Sequence, residues 1–377
     1  MKKIAVLGAG MVGRAIAVDL AKNFEVTSID ISDASLETLR SKYNNIDTTK
    51  SDLCNYENYQ QMLQPFDIIV TAVPGFMGFK TLEAVIKTKK NVVDISFFPE
   101  NALDLDEFAK ENQVTAIVDC GVAPGMSNLI LGYYNERMQV TDFECMVGGL
   151  PKEKTKPFEY KAPFSPIDVI EEYTRPARFV ENGQLIIKPA LTDAELIDFE
   201  NAGTLESFNT DGLRSILFTM AHIPNMKEKT LRYPGHISLI NAFKDAGFFA
   251  EEKIDVRGCK ISPLEVSSKL LIKQWKLGEE EAEFTIMKIK IAGKENGQDK
   301  TIIYDLYDEY DRVTKTSSMA RATGYTCAAA VNLLINNLFN EKGVFPPELV
   351  GRHEACFNYI LNYLQERNVI YKKTELV

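Results

Sequence analysis

Histidine and cysteine are too scarce and too scattered in this sequence to build a metal centre or a disulfide framework. Three histidines and six cysteines are spread over 377 residues, and Cys54, Cys120, Cys145, Cys259, Cys327 and Cys356 form no C-x-x-C pair. A zinc cluster or a stapled extracellular scaffold is therefore not expected. Long apolar runs are missing too. Each breaks within about a dozen residues, short of the roughly 20 that span a bilayer. Positive charge is not in surplus: the net charge of −10 repels phosphate-rich polymers and anionic membranes on average, and no block of Lys or Arg offsets it. No internal repeat stands out. The opening apolar stretch carries Gly8, Gly10 and Gly13, then Arg14 and Asp19, unlike a secretory signal. The expectation is a cytoplasmic protein whose partner is a small molecule, with no metal, nucleic acid or membrane.

What is present is enough for a large core. With 45% apolar and 25% charged residues over 377 positions, the chain suits two soluble domains. Residues 3–7 form an aliphatic run that ends at glycines, as a strand buried on both faces does. Residues 11–21 have helical spacing and 24–29 read as a second strand. The alternation continues with strands at 67–72, 91–95 and 115–119 and helices at 79–87 and 103–111. Strands alternating with helices imply α/β architecture, a doubly wound parallel sheet with right-handed crossovers. Beyond Asp119 the texture changes. Residues 142–149, 284–292 and 301–307 alternate as exposed-face strands do, and 294–300 reads as a hairpin turn. An α+β domain with a mixed or antiparallel sheet fits. Residues 318–338 turn helical and rich in small side chains, which suits close packing against the first sheet. The expected division is 1–122, 123–317, and a helical segment 318–377 that packs back on the first domain.

The turn after the first strand, Gly8-Ala9-Gly10-Met11-Val12-Gly13, matches GxGxxG between a strand and a helix. Gly8 permits the tight turn, Gly10 lets backbone approach a pyrophosphate, and Gly13 lets helix and strand pack closely. The helix N-terminus offers free N–H groups to the phosphates. Asp30 ends the second strand, where a carboxylate accepts the ribose hydroxyls of NAD and repels the 2′-phosphate of NADP. No Arg or Lys follows it in Ile31-Ser32-Asp33, so a Rossmann domain binding NAD is expected. Asp52 suits either the adenine edge or a helix N-cap. Ala72-Val73-Pro74 follows the fourth strand at the sheet's carboxyl edge, either under the cofactor or simply as a tight connection.

Asp119-Cys120-Gly121-Val122-Ala123-Pro124-Gly125-Met126-Ser127-Asn128, taken with the glycine fingerprint, resembles the saccharopine dehydrogenase family and within it the lysine 6-dehydrogenase branch. Further segments carry the likeness: Val147-Gly148-Gly149-Leu150-Pro151, Phe164-Ser165-Pro166 leading to Glu172-Tyr173, and Leu205 to Gly212. Thr230-Leu231-Arg232-Tyr233-Pro234-Gly235-His236, Met319 to Tyr325, and Gly343 to Glu348 extend it over nearly the whole chain. The resemblance implies an NAD(P)-dependent oxidoreductase acting on the carbon–nitrogen bond of a lysine-like amino acid. In the lysine reaction hydride leaves C6 for NAD⁺, the imine hydrolyses with loss of ammonia, and the aldehyde cyclises to a piperideine carboxylate. It also implies a homo-oligomer whose middle domain supplies the substrate pocket and subunit contacts.

Hydride loss from a carbon bearing nitrogen needs a free amine, whereas a lysine ammonium has a reference pKa near 10.4. A base must take the proton. Asp94 and Asp119, ending the fifth and sixth strands, are the candidates; each equally suits a turn or cap. The resemblance places Cys120 near the active site, although a free Cys is commonly a small buried hydrophobe. Arg232, then Arg214, are the candidate forks for the substrate carboxylate, or else structural ion pairs. His236 suits a proton shuttle or a structural hydrogen bond. Asn209, Thr210 and Asp211 offer polar groups to the α-amine or cap a helix, and Tyr160 is a candidate for the pocket wall. Alternatives to lysine oxidation are saccharopine or carboxynorspermidine dehydrogenation, and a catalytically silent NAD-binding regulator.

Overall fold

In a computed structural model that describes residues 1–376, the aliphatic runs of the first third become parallel strands. These are β1 (Lys3–Leu7), β2 (Glu25–Asp30), β3 (Ile46–Lys50), β4 (Ile68–Thr71), β5 (Asn91–Asp94) and β6 (Thr115–Ile117). Helices cover both faces, which is why neighbours such as Ile69 and Val70, or Val92 and Val93, are both buried. The spatial order β6-β5-β4-β1-β2-β3 reverses between β1 and β4. Ligands bind at such a switch point, beyond the carboxyl ends of the strands.

The second sheet holds β7 (Gln139–Pro151), β8 (Ala177–Glu181), β9 (Gln184–Lys188), β10 (Glu195–Phe199), β11 (Gly203–Asn209) and β12 (Asn225–Arg232). A separate small hairpin, β13 (Ile254–Val256) and β14 (Cys259–Ile261), precedes its long pair β15 (Glu283–Glu295) and β16 (Gln298–Glu309). Every pairing in this sheet is antiparallel except β12 with β7. The β15–β16 turn is far tighter than the seven-residue one the polar sequence suggested. Pairing runs to Glu295 and Gln298, leaving Asn296 at φ 52° and Gly297 at φ 83°. Asn-Gly takes these left-handed angles at little cost, and they match the strands' twist.

The C-terminal segment is not purely helical. Its helix Ser318–Ile335 does return to the first domain, where a Cβ on Gly324 would sit 3.3 Å from the Ala15 side chain of helix Met11–Leu20. Small residues permit that approach. Then β17 (Gly343–Phe345) pairs parallel with β6 as the seventh strand of the first sheet, and β18 (Tyr371–Leu376) pairs with β16 in the second. Between them, Tyr363 donates to the buried Asp19 of the first domain at 2.6 Å and the Arg367 guanidinium lies 2.8 Å from it. Among the described residues, no helix is long and apolar enough to cross a membrane.

Candidate active site

A cleft of about 1170 Å³ runs from the glycine-rich turn to the face of β12, walled by both domains. In its first half the backbone dominates. Gly8 has φ +109° and a Cβ there would lie 2.2 Å from the Ala72 carbonyl; on Gly13 it would lie 2.1 Å from the Gly8 carbonyl. Gly10 differs: nothing stands within 4 Å of its missing Cβ. It caps helix Met11–Leu20 without a side-chain acceptor, so the first helical N–H groups point into open space. Asp30 accepts from Ala9 N–H at 2.6 Å through one oxygen and from Ser32 N–H at 2.8 Å through the other. That fixes its carboxylate beside the turn while leaving lone pairs on both oxygens. This arrangement fits a dinucleotide: free N–H groups for phosphates and an oriented acceptor for a ribose. Met11, Val12, Asp52, Ala72, Val73 and Pro74 complete the same wall. Asp52 also accepts from Cys54 N–H at 2.9 Å, and Pro74 leads straight into helix Gly75–Lys87.

The strand ends behave differently from each other. Asp94 closes β5 fully buried, accepting from the Thr71 hydroxyl at 2.5 Å and Ser96 N–H at 3.1 Å. Burial, with the charge of Asp119 adding, pushes its carboxyl up to about 7. It lies behind the wall rather than in it. Asp119 does line the cleft, two residues past the end of β6 and at a left-handed φ of 52°. The Arg214 guanidinium sits 2.9 Å from it and also donates to the Phe98 carbonyl. Arg214 is thereby committed to Asp119. The Cys120 thiol is buried, 3.8 Å from the Thr326 carbonyl, and burial pushes its pKa far up. It carries no nucleophile to the cleft.

Arg232 ends β12 in the cleft wall, buried. It donates to the Glu172 carboxylate at 2.8 Å, to the Tyr173 hydroxyl at 2.9 Å and to the Leu231 carbonyl at 2.9 Å. Other donors of the guanidinium stay available, since Arg offers five. The Tyr160 ring lies under it, 4.4 Å from its centre. His236 stands one step behind. Its Nε2 accepts from Tyr173 at 2.9 Å while Nδ1–H donates to the Phe158 carbonyl at 2.9 Å. Burial first, then the charge of Arg232, hold its pKa down at about 3. His236 thus supports Tyr173 from behind and does not itself line the cleft. Asn209 also faces elsewhere, donating to Asp193 at 2.8 Å. Thr210 and Asp211 do line the cleft; they end no helix cap but follow β11. Asp211 is gripped by Arg178 at 2.8 and 2.9 Å.

Six expected residues, Asp94, Cys120, Tyr160, Asn209, Arg214 and His236, thus fall behind the wall, while all the expected cofactor residues lie in it. The sequence reading missed the acids that face the substrate space. Glu228 and Thr230 share the wall with Arg232, and alternation along a strand places all three on one face. Burial pushes Glu228 up to about 8, and its one close partner is the Thr210 hydroxyl at 2.6 Å. Helix Pro166–Thr174 adds Asp168, Glu171 and Glu172, with Arg175 just beyond its end. The spacing i, i+3, i+4, i+7 puts them on one stripe. Glu171 pairs with Arg175, and burial raises Glu172 against the opposing pull of Arg232. Burial, with Glu171 adding, pushes Asp168 up to about 7, and its Oδ1 has no hydrogen-bond partner. Both signals were present as spacing in the sequence. Among the described residues, no group of three or more His, Cys, Asp or Glu side chains is placed to hold a metal.

Known proteins share this plan. Residues 4–117 match the saccharopine dehydrogenase NADP binding domain and residues 121–370 the saccharopine dehydrogenase C-terminal domain. The mitochondrial alpha-aminoadipic semialdehyde synthase of Rattus norvegicus is 23% identical over 70% of this chain, and the match spans 30% of that longer protein. A carboxyaminopropylagmatine dehydrogenase of Synechocystis is 20% identical over 92% of both chains. The solved apo saccharopine dehydrogenase (L-Glu forming) of Saccharomyces cerevisiae superposes over 100% of both chains with a TM-score of 0.79 at 18% identity, a likeness of fold. With both of its domains matched in order, and the second match alone covering more than half its length, the chain belongs to the saccharopine dehydrogenase family.

Proposed function

We propose that this protein oxidises the carbon–nitrogen bond of a basic amino acid, L-lysine at C6, with NAD⁺ as the hydride acceptor. The observation that carries the reading is the pair Asp168 and Glu228. Both are buried in the cleft wall, neither has a cation within ion-pair distance, and burial raises them to about 7 and about 8. The other cleft acids near Arg232 are matched: Asp119 with Arg214, Asp211 with Arg178, Glu171 with Arg175 and Glu172 with Arg232. Two unmatched acids with raised proton affinity suit a substrate bearing amines. In their ionised forms, which those values place at neutral to mildly alkaline pH, they attract the ammonium and accept its proton, freeing the lone pair that hydride loss requires. Arg232, held by Tyr173 and Glu172, keeps donors for the α-carboxylate. Asp30 favours NAD over NADP by placing negative charge at the ribose.

A second reading is oxidation of a larger secondary amine of the saccharopine type. The name of the Synechocystis relative favours it, as does Lys276, a cleft residue without an ion pair among the described residues. Purified protein should form NADH from L-lysine and NAD⁺, releasing ammonia. Nicotinamide reduction with saccharopine and none with lysine overturns the lysine reading. Failure with both amines, alongside tight cofactor binding, overturns the catalytic one.

A further inference from the structure

The helices Met11–Leu20 and Asp33–Lys42 flank Asp30, and Arg14 is the only Arg or Lys they contribute to the cleft wall. Arg14 is not free. Glu279 of the second domain reaches across the cleft mouth, with one carboxylate oxygen 3.0 Å from Arg14 Nη1 and the other 3.0 Å from Lys42 Nζ. Lys42 ends the second helix, one turn beyond Thr38, which is itself in the wall. The strap 276–279 that carries Glu279 lines the same cleft. It is built to hold its place: Gly278 N–H donates to the Glu281 carboxylate at 2.7 Å, Tyr310 donates to the Glu279 carbonyl at 3.4 Å, and Lys315 pairs with Glu280 at 2.6 Å. A third nearby cation, Lys50, lies opposite Asp30 in the β2–β3 register and is paired with Asp33.

We infer that Glu279 is a cofactor-selectivity residue supplied by the second domain: it ties down Arg14 and Lys42 at the mouth where a 2′-phosphate would sit. A 2′-phosphate there meets Asp30 and Glu279, while the cations that would neutralise it are already committed. NAD, with a plain hydroxyl, meets no such conflict. The inference rests on Asp30 marking the ribose end of the cleft. It goes further in giving the opposite domain a share in the choice of dinucleotide.

Glu279→Gln keeps the side chain's length and shape and removes its charge at a half-exposed position. NADH and NADPH titrations of the full chain, followed by nucleotide fluorescence, read the effect. Glu279→Gln should tighten NADPH about fivefold, the scale of an exposed charge contact, and change NADH less than about twofold. Adding Arg14→Gln should remove the gain, and high salt should shrink it. Unchanged NADPH affinity in Glu279→Gln overturns the inference. Equal weakening of both cofactors also overturns it, since Glu279 would then be a brace between domains and nothing more. Wild-type preference for NADPH is a separate outcome: it defeats the reading of Asp30 while the Glu279→Gln shift still reports on Glu279.

Discussion

Around the glycine-rich turn the cleft wall is largely backbone, whereas around Arg232 it is almost entirely side chain. In the first region, recognition groups are peptide N–H donors, and the sequence's work is to keep side chains away. In the second, acids and arginines, all but Glu171 and Arg175 from separate segments, are matched pair by pair, leaving Asp168 and Glu228 over. A backbone site is fixed by sterics and tolerates little substitution. A side-chain site sets which molecule is accepted, because one exchanged pair changes the charge left for the ligand. One half conserves a shape; the other can be retuned.

The largest expected effect comes from breaking the matched side. Arg232→Met strands Glu172 and removes the donor to Tyr173, and unpairing a buried ion costs about 3–5 kcal/mol. Denaturant unfolding should show that loss. The deficit should shrink at lower pH, where Glu172, already raised by burial, takes up a proton. Breaking the backbone side comes next. Gly13→Ala places a Cβ 2.1 Å from the Gly8 carbonyl and should cost about 1–3 kcal/mol. Gly10→Ala, with open space around it, should stay within about 0.5 kcal/mol of wild type yet bind cofactor more weakly. Equal stability losses in the two glycine variants would erase the distinction between a packing glycine and a ligand-facing one.

The smallest effect sharpens the role of the unmatched acids. Folding raises Glu228 from 4.5 to about 8. The folded protein therefore binds more protons than the unfolded chain between those values, and stability falls as pH rises through them. Glu228→Gln cannot titrate, so the fall in Tm between pH 5 and pH 8 should be shallower by a few °C. An unchanged slope would mean that Glu228 keeps an ordinary carboxyl pKa, and the amine reading would lose the raised proton affinity it rests on.

How much of this was legible follows the same division. The glycine turn and Asp30 lie in one βαβ unit, so their roles follow from local order along the chain. Parallel strands were equally plain, because burial on both faces leaves an unbroken aliphatic run. The substrate wall depends on distant meetings. Arg214 and Asp119 are 95 residues apart, and nothing local says that one neutralises the other. His236 looked like chemistry because its ordinary pKa suits proton transfer, but burial beside a guanidinium removes that property. The stripe Asp168, Glu171, Glu172 and the alternation Glu228, Thr230, Arg232 were readable in principle. Spacing alone does not tell a solvated face from a cleft wall, and only the second domain's position over the cleft distinguishes them. The strands β9 and β10 went unread because most of their residues are exposed.

The two strands that the last part of the chain returns to the two sheets also bear on how the molecule is made. Thr115, which opens β6, donates its hydroxyl to the Glu341 carbonyl across 226 residues of sequence, and β17 begins just after that contact. A ribosome must therefore have delivered residue 345 before the nucleotide-binding sheet can gain its outermost strand, and residue 376 before β18 can cover the edge of β16. Until then both sheets present unpaired edges, the kind of surface that invites wrong partners during synthesis. Each edge stays open until its later strand is made, and that interval is where a chaperone would matter most.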